Sequence, residues 1–333
     1  MKKIFIAGAI PEAGLNQLEQ HFDVDMYTGE TLISEALLIE KIKDVDALIT
    51  LLSTNVSRKV IETAPKLKII ANYGAGFNNI DIEAAREHDI NVTNTPIAST
   101  NSTAELTMGI LLAVARRIPE GDQLCRNKGF NGWSPLFFRG REVSGKTIGI
   151  IGLGEIGTAV ARRAKGFDMN VLYSGPKRYE DKEAELNAEY VSQDELLKRS
   201  DFVTLNCAYN EKLKHMIDYN AIKKMKPTSY LINASRGPIV YEEELVKALE
   251  EGIIEGAALD VFEFEPKITE ALKSMKNVVI TPHIGNATFE ARDMMADITA
   301  SNVVKQLSGE QPNYIVNWQE WEICHKHPIA FLK

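Results

Sequence analysis

Residues 147–157 read Thr147-Ile148-Gly149-Ile150-Ile151-Gly152-Leu153-Gly154-Glu155-Ile156-Gly157, an apolar β-branched run that ends in a Gly-x-Gly-x-x-Gly spacing. A helical pattern, Thr158 to Lys165, follows directly. Three glycines alone would mean little, but between a strand and a helix they describe the phosphate-binding turn of a dinucleotide fold. The first glycine permits the tight turn, the second lets a pyrophosphate approach the backbone, and the third lets helix and strand pack closely. N–H groups at the helix start then face the anion. Gly152, Leu153, Gly154, Glu155, Ile156 and Gly157 are the expected phosphate contacts. The plain alternative is a turn that only closes a βα unit, and the ordered strand, motif and helix weigh against it.

Working outward, the same alternation of short apolar runs and helical patterns continues in both directions. Downstream lie Asn170 to Tyr173, Phe202 to Leu205, Tyr230 to Asn233, Ala257 to Val261 and Val278 to Thr281. Upstream lie Ile4 to Ala7, Ala47 to Leu51, Leu67 to Asn72 and Ile90 to Thr93, with helical patterns such as Ser57 to Thr63 and Asp81 to His88 between them. Such alternation predicts parallel sheets covered by helices. An Ala- and Leu-rich helix from about Thr100 to Arg117 joins the two series, and Gly129 to Trp133 breaks regular structure after it. One more helical pattern, Phe289 to Leu307, is too short to be a domain and is expected to pack back on the first series. The fold class is therefore α/β with two doubly wound parallel-sheet domains: a Rossmann cofactor domain, 100–286, inserted in a flavodoxin-like substrate domain, 1–99 and 287–333. Ala98 to Asn101 and Gly285 to Thr288 are the expected hinge strands of a cleft.

Composition excludes several function classes. The 333 residues carry 46 acids and 38 bases, a formal charge of −8. That balance repels nucleic acid and anionic lipid, so neither is an expected partner. No run reaches the ~20 apolar residues of a membrane span. Three cysteines, Cys125, Cys207 and Cys324, lie far apart without a CxxC pair. They fit unpaired thiols in a reducing compartment, and the cytoplasm is the expected location.

An NAD site ordinarily places an acid at the end of the strand after the glycine turn, to hold the ribose 2′-hydroxyl. Here that strand runs into Ser174-Gly175-Pro176-Lys177-Arg178, and no carboxylate comes before Glu180. Ser174, Lys177 and Arg178 would attract a 2′-phosphate where an aspartate would repel it. NADPH is the expected cofactor, with NADH possible; the plain alternative is a solvated helix start.

Three charged residues fall where strands of the second series end: Arg236 in Asn233-Ala234-Ser235-Arg236-Gly237, Glu265 in Asp260-Val261-Phe262-Glu263-Phe264-Glu265-Pro266, and His283 in Thr281-Pro282-His283-Ile284-Gly285. Open α/β sheets bind ligands at carboxyl ends of strands. Reduction of a 2-oxo acid needs a cation for the carboxylate, a proton donor for the nascent alkoxide, and a group that keeps the donor protonated. Arginine, histidine and glutamate supply those jobs. Singly, each has a structural explanation: a surface cation, a turn residue before proline, a satisfied imidazole.

The order and wording of these motifs resemble the D-isomer-specific 2-hydroxyacid dehydrogenase family over nearly the whole chain. The resemblance is carried by Gly74-Ala75-Gly76-Phe77-Asn78-Asn79-Ile80-Asp81, Thr103-Ala104-Glu105, Gly152 to Gly157, Asn233 to Gly237, Leu259 to Pro266 and Pro282 to Gly285. It implies that Arg236, Glu265 and His283 are the catalytic residues, and that Ala75 and Gly76 offer backbone N–H groups to the substrate carboxylate, with Ser53 on the neighbouring loop. Asp260 would meet the nicotinamide amide, with Thr103 beside the same ring. Cys207, Ala234, Ser235 and Gly285 complete the implied cofactor contacts. Two departures stand out: the missing acid after the second cofactor-domain strand, and Cys207-Ala208-Tyr209 where relatives often have a proline near the adenosine. The first departure, with Asn131-Gly132-Trp133-Ser134-Pro135-Leu136, resembles the NADPH-using glyoxylate/hydroxypyruvate reductase branch, whose members usually form homodimers through this region.

The expected function is reversible, NADPH-preferring reduction of a small 2-oxo acid, glyoxylate or hydroxypyruvate, to the D-2-hydroxy acid. A 2-ketogluconate-type sugar-acid reductase and a non-catalytic nicotinamide-sensing protein of the same fold are the alternatives. Trp133 is expected in an interface core or at a neighbouring subunit's substrate pocket. Cys324-His325-Lys326-His327 lacks further ligands at useful spacing, so no metal is expected. Trp318, Trp321 and Ile323 are read as covering an apolar surface, and Asn16, His21, His88 and His215 as surface or structural residues.

Overall fold

In the computed structural model, which describes residues 1–318, the chain divides into two compact units. Of the described residues, one unit comprises Met1–Ser99 and 287–318, the other Thr100–Asn286. The tail residues Trp321, Ile323, Cys324, His325, Lys326 and His327 singled out above lie outside the described residues.

The first unit holds β1 (Lys3–Ile6), β2 (Asp23–Met26), β3 (Ala47–Leu51), β4 (Ile69–Tyr73) and β5 (Asn91–Thr93), all parallel, in the order β2-β1-β3-β4-β5. This is the flavodoxin-like order. Ile4, Ile6, Ile49, Ile69 and Ala71 point to one face of the sheet, where Ala300, Val303 and Leu307 of helix Phe289–Ser308 cover them. That helix also lies close against helix Glu12–Glu19: a Cβ on Gly14 would come within 2.9 Å of Ala296. Thr288 caps it by accepting from the Ala291 N–H at 3.1 Å, and Gly309, at φ +86, ends it. Strand β2 was not legible: Asp23-Val24-Asp25-Met26 is an edge strand whose residues stay wholly or partly exposed, so it needs no apolar run.

The second unit holds β6 (Thr147–Ile151), β7 (Asn170–Ser174), β8 (Ala188–Tyr190), β9 (Phe202–Leu205), β10 (Tyr230–Asn233), β11 (Gly256–Leu259) and β12 (Val278–Ile280). Their order is β12-β11-β10-β9-β6-β7-β8, all parallel, so the sheet reverses between β6 and β9. Period-two alternation divides the core. Ile148 and Ile150 pack under helices Thr100–Ala115 and Glu155–Lys165, whereas Ile151, Leu205 and Leu231 face Leu196 and Leu245 on the other side. Both faces are covered, so the strands read as continuous apolar runs. The exception is β8, a three-residue edge strand that sequence patterning missed. Beyond helix Thr100–Ala115, Ile118–Asn127 forms a further helix before the irregular stretch around Gly129 to Trp133. No described helix is long and apolar enough to cross a membrane.

Candidate active site

β6 ends at Ile151, and Gly152 follows at φ +98, a conformation L side chains rarely adopt. A Cβ there would lie 2.7 Å from the Cys207 nitrogen, and one on Gly157 only 2.1 Å from the Gly152 carbonyl oxygen. Packing within the chain therefore demands both glycines. Gly154, the residue before helix Glu155–Lys165, is different: nothing lies within 4 Å of where its Cβ would be. Its missing side chain serves no contact of the protein and leaves the helix start open, which fits a pyrophosphate. At the ends of the adjacent strands, Asn206 Nδ2 and Ser235 Oγ are buried without a hydrogen-bond partner among the described residues, and a polar ligand would satisfy them. Asn206 was not singled out from the sequence, although a polar residue closing the apolar run Phe202–Leu205 was the available signal. Burial pushes the neighbouring Cys207 thiol up to about 11, so it is an inert wall.

Past β7, the residues expected at the adenosine ribose meet an acid in the first turn of the following helix, Glu180–Leu186. Arg178 donates from Nε and Nη2 to the two carboxylate oxygens of Glu183, at 2.8 and 2.7 Å. The Tyr173 hydroxyl donates to the same Glu183 at 2.7 Å and accepts from the Tyr179 N–H at 2.8 Å. Lys177 lies over the Tyr179 ring, 4.7 Å from its centre. The hydrogen bond from Arg178, then that from Tyr173, hold the Glu183 carboxyl down at about 2. Lys182, on the same helix Glu180–Leu186, turns the other way and donates to Thr158 Oγ1 at 3.0 Å, behind the glycine turn.

The loops after β10, β11 and β12 converge. His283 sits at φ +53, unusual for a residue with a side chain, and Asp260 holds it there. The Asp260 carbonyl accepts from the His283 N–H at 2.8 Å, and its carboxylate accepts from the Thr281 hydroxyl, Ile284 N–H and Gly285 N–H at 2.6, 2.8 and 2.9 Å. Burial is the strongest influence on this carboxyl and pushes it above its ordinary value, against those donors. Gly285 in turn accepts from Thr103 Oγ1 at 3.2 Å, so Thr103 and Asp260 brace one loop. Its ring held by this loop, His283 places Nδ1 2.8 Å from Glu265 Oε2. The other oxygen, Glu265 Oε1, accepts from the Phe262 N–H at 3.0 Å. Burial opposes ionisation of Glu265, yet the hydrogen bond and charge of His283, the Phe262 N–H and the charge of Arg236 hold its carboxyl below the ordinary value. Arg236 is held down by burial and pulled up by Glu265. Gly237 lets these loops meet, since a Cβ there would lie 1.9 Å from the Phe262 backbone.

A second pair contrasts with the first. His215 Nε2 lies 2.6 Å from Glu263 Oε1, and its ring stacks flat on Tyr241 at 4.2 Å. Its side chain is as exposed as that of His283, so the flat stacking on Tyr241 is what distinguishes it. A cavity of about 610 Å³ also lies elsewhere in this unit, at the amino ends of β10 to β12, lined by Arg117, Arg141, Tyr230, Glu255 and Asn277. It is a strand's length from His283.

In the first unit, asparagines shape the loop after β4. Asn72 donates to the Gly76 carbonyl at 2.6 Å and Asn94 to the Ala75 carbonyl at 2.7 Å. With their carbonyls tied back, the Ala75 and Gly76 N–H groups have no partner among the described residues. Asn79 donates to Leu51 and Thr54 carbonyls at 3.1 and 3.0 Å, bracing the loop that exposes Ser53.

Residues 108–285 match the family model described as the D-isomer specific 2-hydroxyacid dehydrogenase NAD-binding domain. The chain belongs to this family. Over 317 residues it is 67% identical to a Staphylococcus haemolyticus protein provisionally named 2-hydroxyacid dehydrogenase, covering 95% of this chain and all of that one. Among solved structures, a glyoxylate reductase from Paecilomyes thermophila is 31% identical with a TM-score of 0.83, covering 93% of this chain and 97% of that one. An NADPH-dependent glyoxylate/hydroxypyruvate reductase from Sinorhizobium meliloti, solved with NADP and malonate, is 30% identical, also at 0.83, covering 95% and 96%. This dehydrogenase thus shares its fold over nearly its full length with a solved glyoxylate reductase and a solved glyoxylate/hydroxypyruvate reductase.

Proposed function

We propose that this dehydrogenase reduces the keto group of a small 2-oxo acid of the glyoxylate or hydroxypyruvate type to the D-2-hydroxy acid, reversibly, with NADPH preferred over NADH. One observation carries the reading: an imidazole locked onto a partly exposed carboxylate at 2.8 Å, within electrostatic reach of a guanidinium, in the loops at the carboxyl ends of strands that follow a dinucleotide turn. A nicotinamide nucleotide bound at Gly152–Gly157 supplies the hydride. Arg236 holds the substrate carboxylate and keto oxygen, and its charge favours the alkoxide that develops there. His283 gives that oxygen a proton from Nε2, because Nδ1 is engaged by Glu265. Glu265, ionised, stabilises the protonated imidazole before transfer. Ala75 and Gly76 offer N–H donors for a carboxylate, with Ser53 on the loop alongside. Asp260 keeps a free acceptor position on Oδ2 for the nicotinamide amide, with Thr103 beside it.

NADPH is favoured because β7 ends in Ser174 with Lys177 and Arg178 nearby, with no acid at the usual position. We read the enzyme as cytoplasmic, its described cysteines Cys125 and Cys207 both being free thiols. We also read it as a homodimer, since Phe130, Trp133, Leu136 and Phe137 leave a large apolar surface exposed after helix Ile118–Asn127.

The test is direct. His283→Ala and Arg236→Ala are expected to lower kcat with glyoxylate or hydroxypyruvate by about 10²–10⁴-fold while NADPH affinity stays within about two-fold. Near wild-type turnover in either variant overturns the roles. Absence of turnover by the wild type over a panel of 2-oxo acids, with nucleotide binding retained, overturns the activity.

A further inference from the structure

Resting on the reading that residues 174–178 face the adenosine ribose, we propose that Glu183 limits the discrimination between NADP and NAD by engaging the Arg178 guanidinium. The fork edge of arginine, Nε with one Nη, is the edge that meets a carboxylate or a phosphate with two parallel hydrogen bonds. In this chain Glu183 already occupies that edge at 2.8 and 2.7 Å. A 2′-phosphate beside Arg178 therefore either displaces Glu183 or makes do with the remaining Nη1.

Glu183 is no passing surface partner. Its side chain is 14% exposed while that of Arg178 is 56% exposed, so the acid is the fixed member and the arginine comes to it. The fixing group is the Tyr173 hydroxyl, donating at 2.7 Å from a side chain wholly buried at the end of β7. Glu180 also acts on Arg178 through its charge, without a hydrogen bond to it. Because the same Tyr173 hydroxyl accepts from the Tyr179 N–H, the network sets the backbone of Tyr179 under Lys177. With Arg178 neutralised, Lys177 and the Ser174 hydroxyl are what the strand end offers a phosphate. The strand end lacks an acid, and Glu183 on the next helix acts on the cation rather than on the ribose.

Removing one negative charge beside a group of charge near −2 strengthens its binding by about ten-fold under water-like screening. The experiment is calorimetric titration of the purified enzyme with NADP⁺ and NAD⁺ in the absence of substrate. Glu183→Gln keeps an acceptor for Tyr173 and is expected to tighten NADP⁺ about ten-fold while leaving NAD⁺ within two-fold, the gain shrinking in high salt. Glu183→Asp retains the charge and the wild-type ratio. In the double variant Glu183→Gln with Arg178→Gln, where the pair is neutral as it is in the wild type, the ratio returns to within about two-fold of wild type. Unchanged NAD⁺ affinity reports an intact fold. An NADP⁺/NAD⁺ affinity ratio that is unaltered or lowered in Glu183→Gln overturns the proposal. The wild-type ratio, read in the same titrations, judges the NADPH preference separately: a wild type that binds NAD⁺ tighter, with a ten-fold NADP⁺ gain in Glu183→Gln, defeats that preference and leaves the role of Glu183 standing.

Discussion

At the scale of single residues, the site depends on a histidine held in a backbone conformation that costs on the order of 1–3 kcal/mol. Asp260 offsets that cost with four hydrogen bonds accepted from Thr281, His283, Ile284 and Gly285. Arg236, Glu265 and His283 could be singled out from the sequence because each lies in a loop that follows a strand of the second sheet, and the structure brings Glu265 and His283 into hydrogen-bond contact. Glu183 and Asn206 were not singled out. The first matters only because helix Glu180–Leu186 brings it against Arg178, and the second only because its Nδ2 is buried without a partner among the described residues. The Glu265 pair also makes a pH prediction. Its folded-state carboxyl lies below the ordinary value, so its contribution to stability is full above the unfolded value of about 4.3 and is lost as pH falls through the folded one. Denaturant unfolding of wild type and Glu265→Gln is therefore expected to differ most above about pH 5 and to converge towards pH 3. A difference that grows on acidification contradicts this account.

At the scale of elements, the glycine turn separates what the fold needs from what a ligand needs. Gly157→Ala drives a Cβ to 2.1 Å from the Gly152 oxygen, and its expected cost is about 1–3 kcal/mol of stability, read as a lowered Tm. Gly154→Ala meets nothing, and Gly154 has φ −75. It is expected to leave Tm within a degree or two while weakening NADP⁺ and NAD⁺ binding about ten-fold or more, as a methyl group enters the space for the anion. Equal affinity in Gly154→Ala contradicts the assignment of the turn. Among strands, β3, β6, β9 and β10 were read with their observed bounds, because a strand buried on both faces must be apolar throughout. Edge strands β2 and β8 escaped the pattern since one side of each has no neighbour to satisfy.

At the scale of the molecule, the alternating series made both sheets legible. The helix Ile118–Asn127 was not, its ten residues carrying no buried side chain. The exposed aromatics that follow it bear on assembly. Trp133 is 85% and Leu136 75% exposed, and the double variant Trp133→Asp with Leu136→Asp is expected to run as a monomer in light scattering where the wild type runs as a dimer. A wild-type mass matching one chain removes the dimer reading.

The interrupted first unit has a consequence for how the protein is made. Its sheet face of Ile4, Ile6, Ile49 and Ile69 is covered by Ala300, Val303 and Leu307, and the whole of Thr100–Asn286 is translated between them. At about 5–20 residues per second the nascent amino-terminal segment waits on the order of ten seconds or more, greasy side outward, before its lid emerges from the ribosome. The inserted unit, continuous in sequence, is expected to complete its core first, so a holdase is expected to raise the yield of folded protein during synthesis more than it protects the finished enzyme.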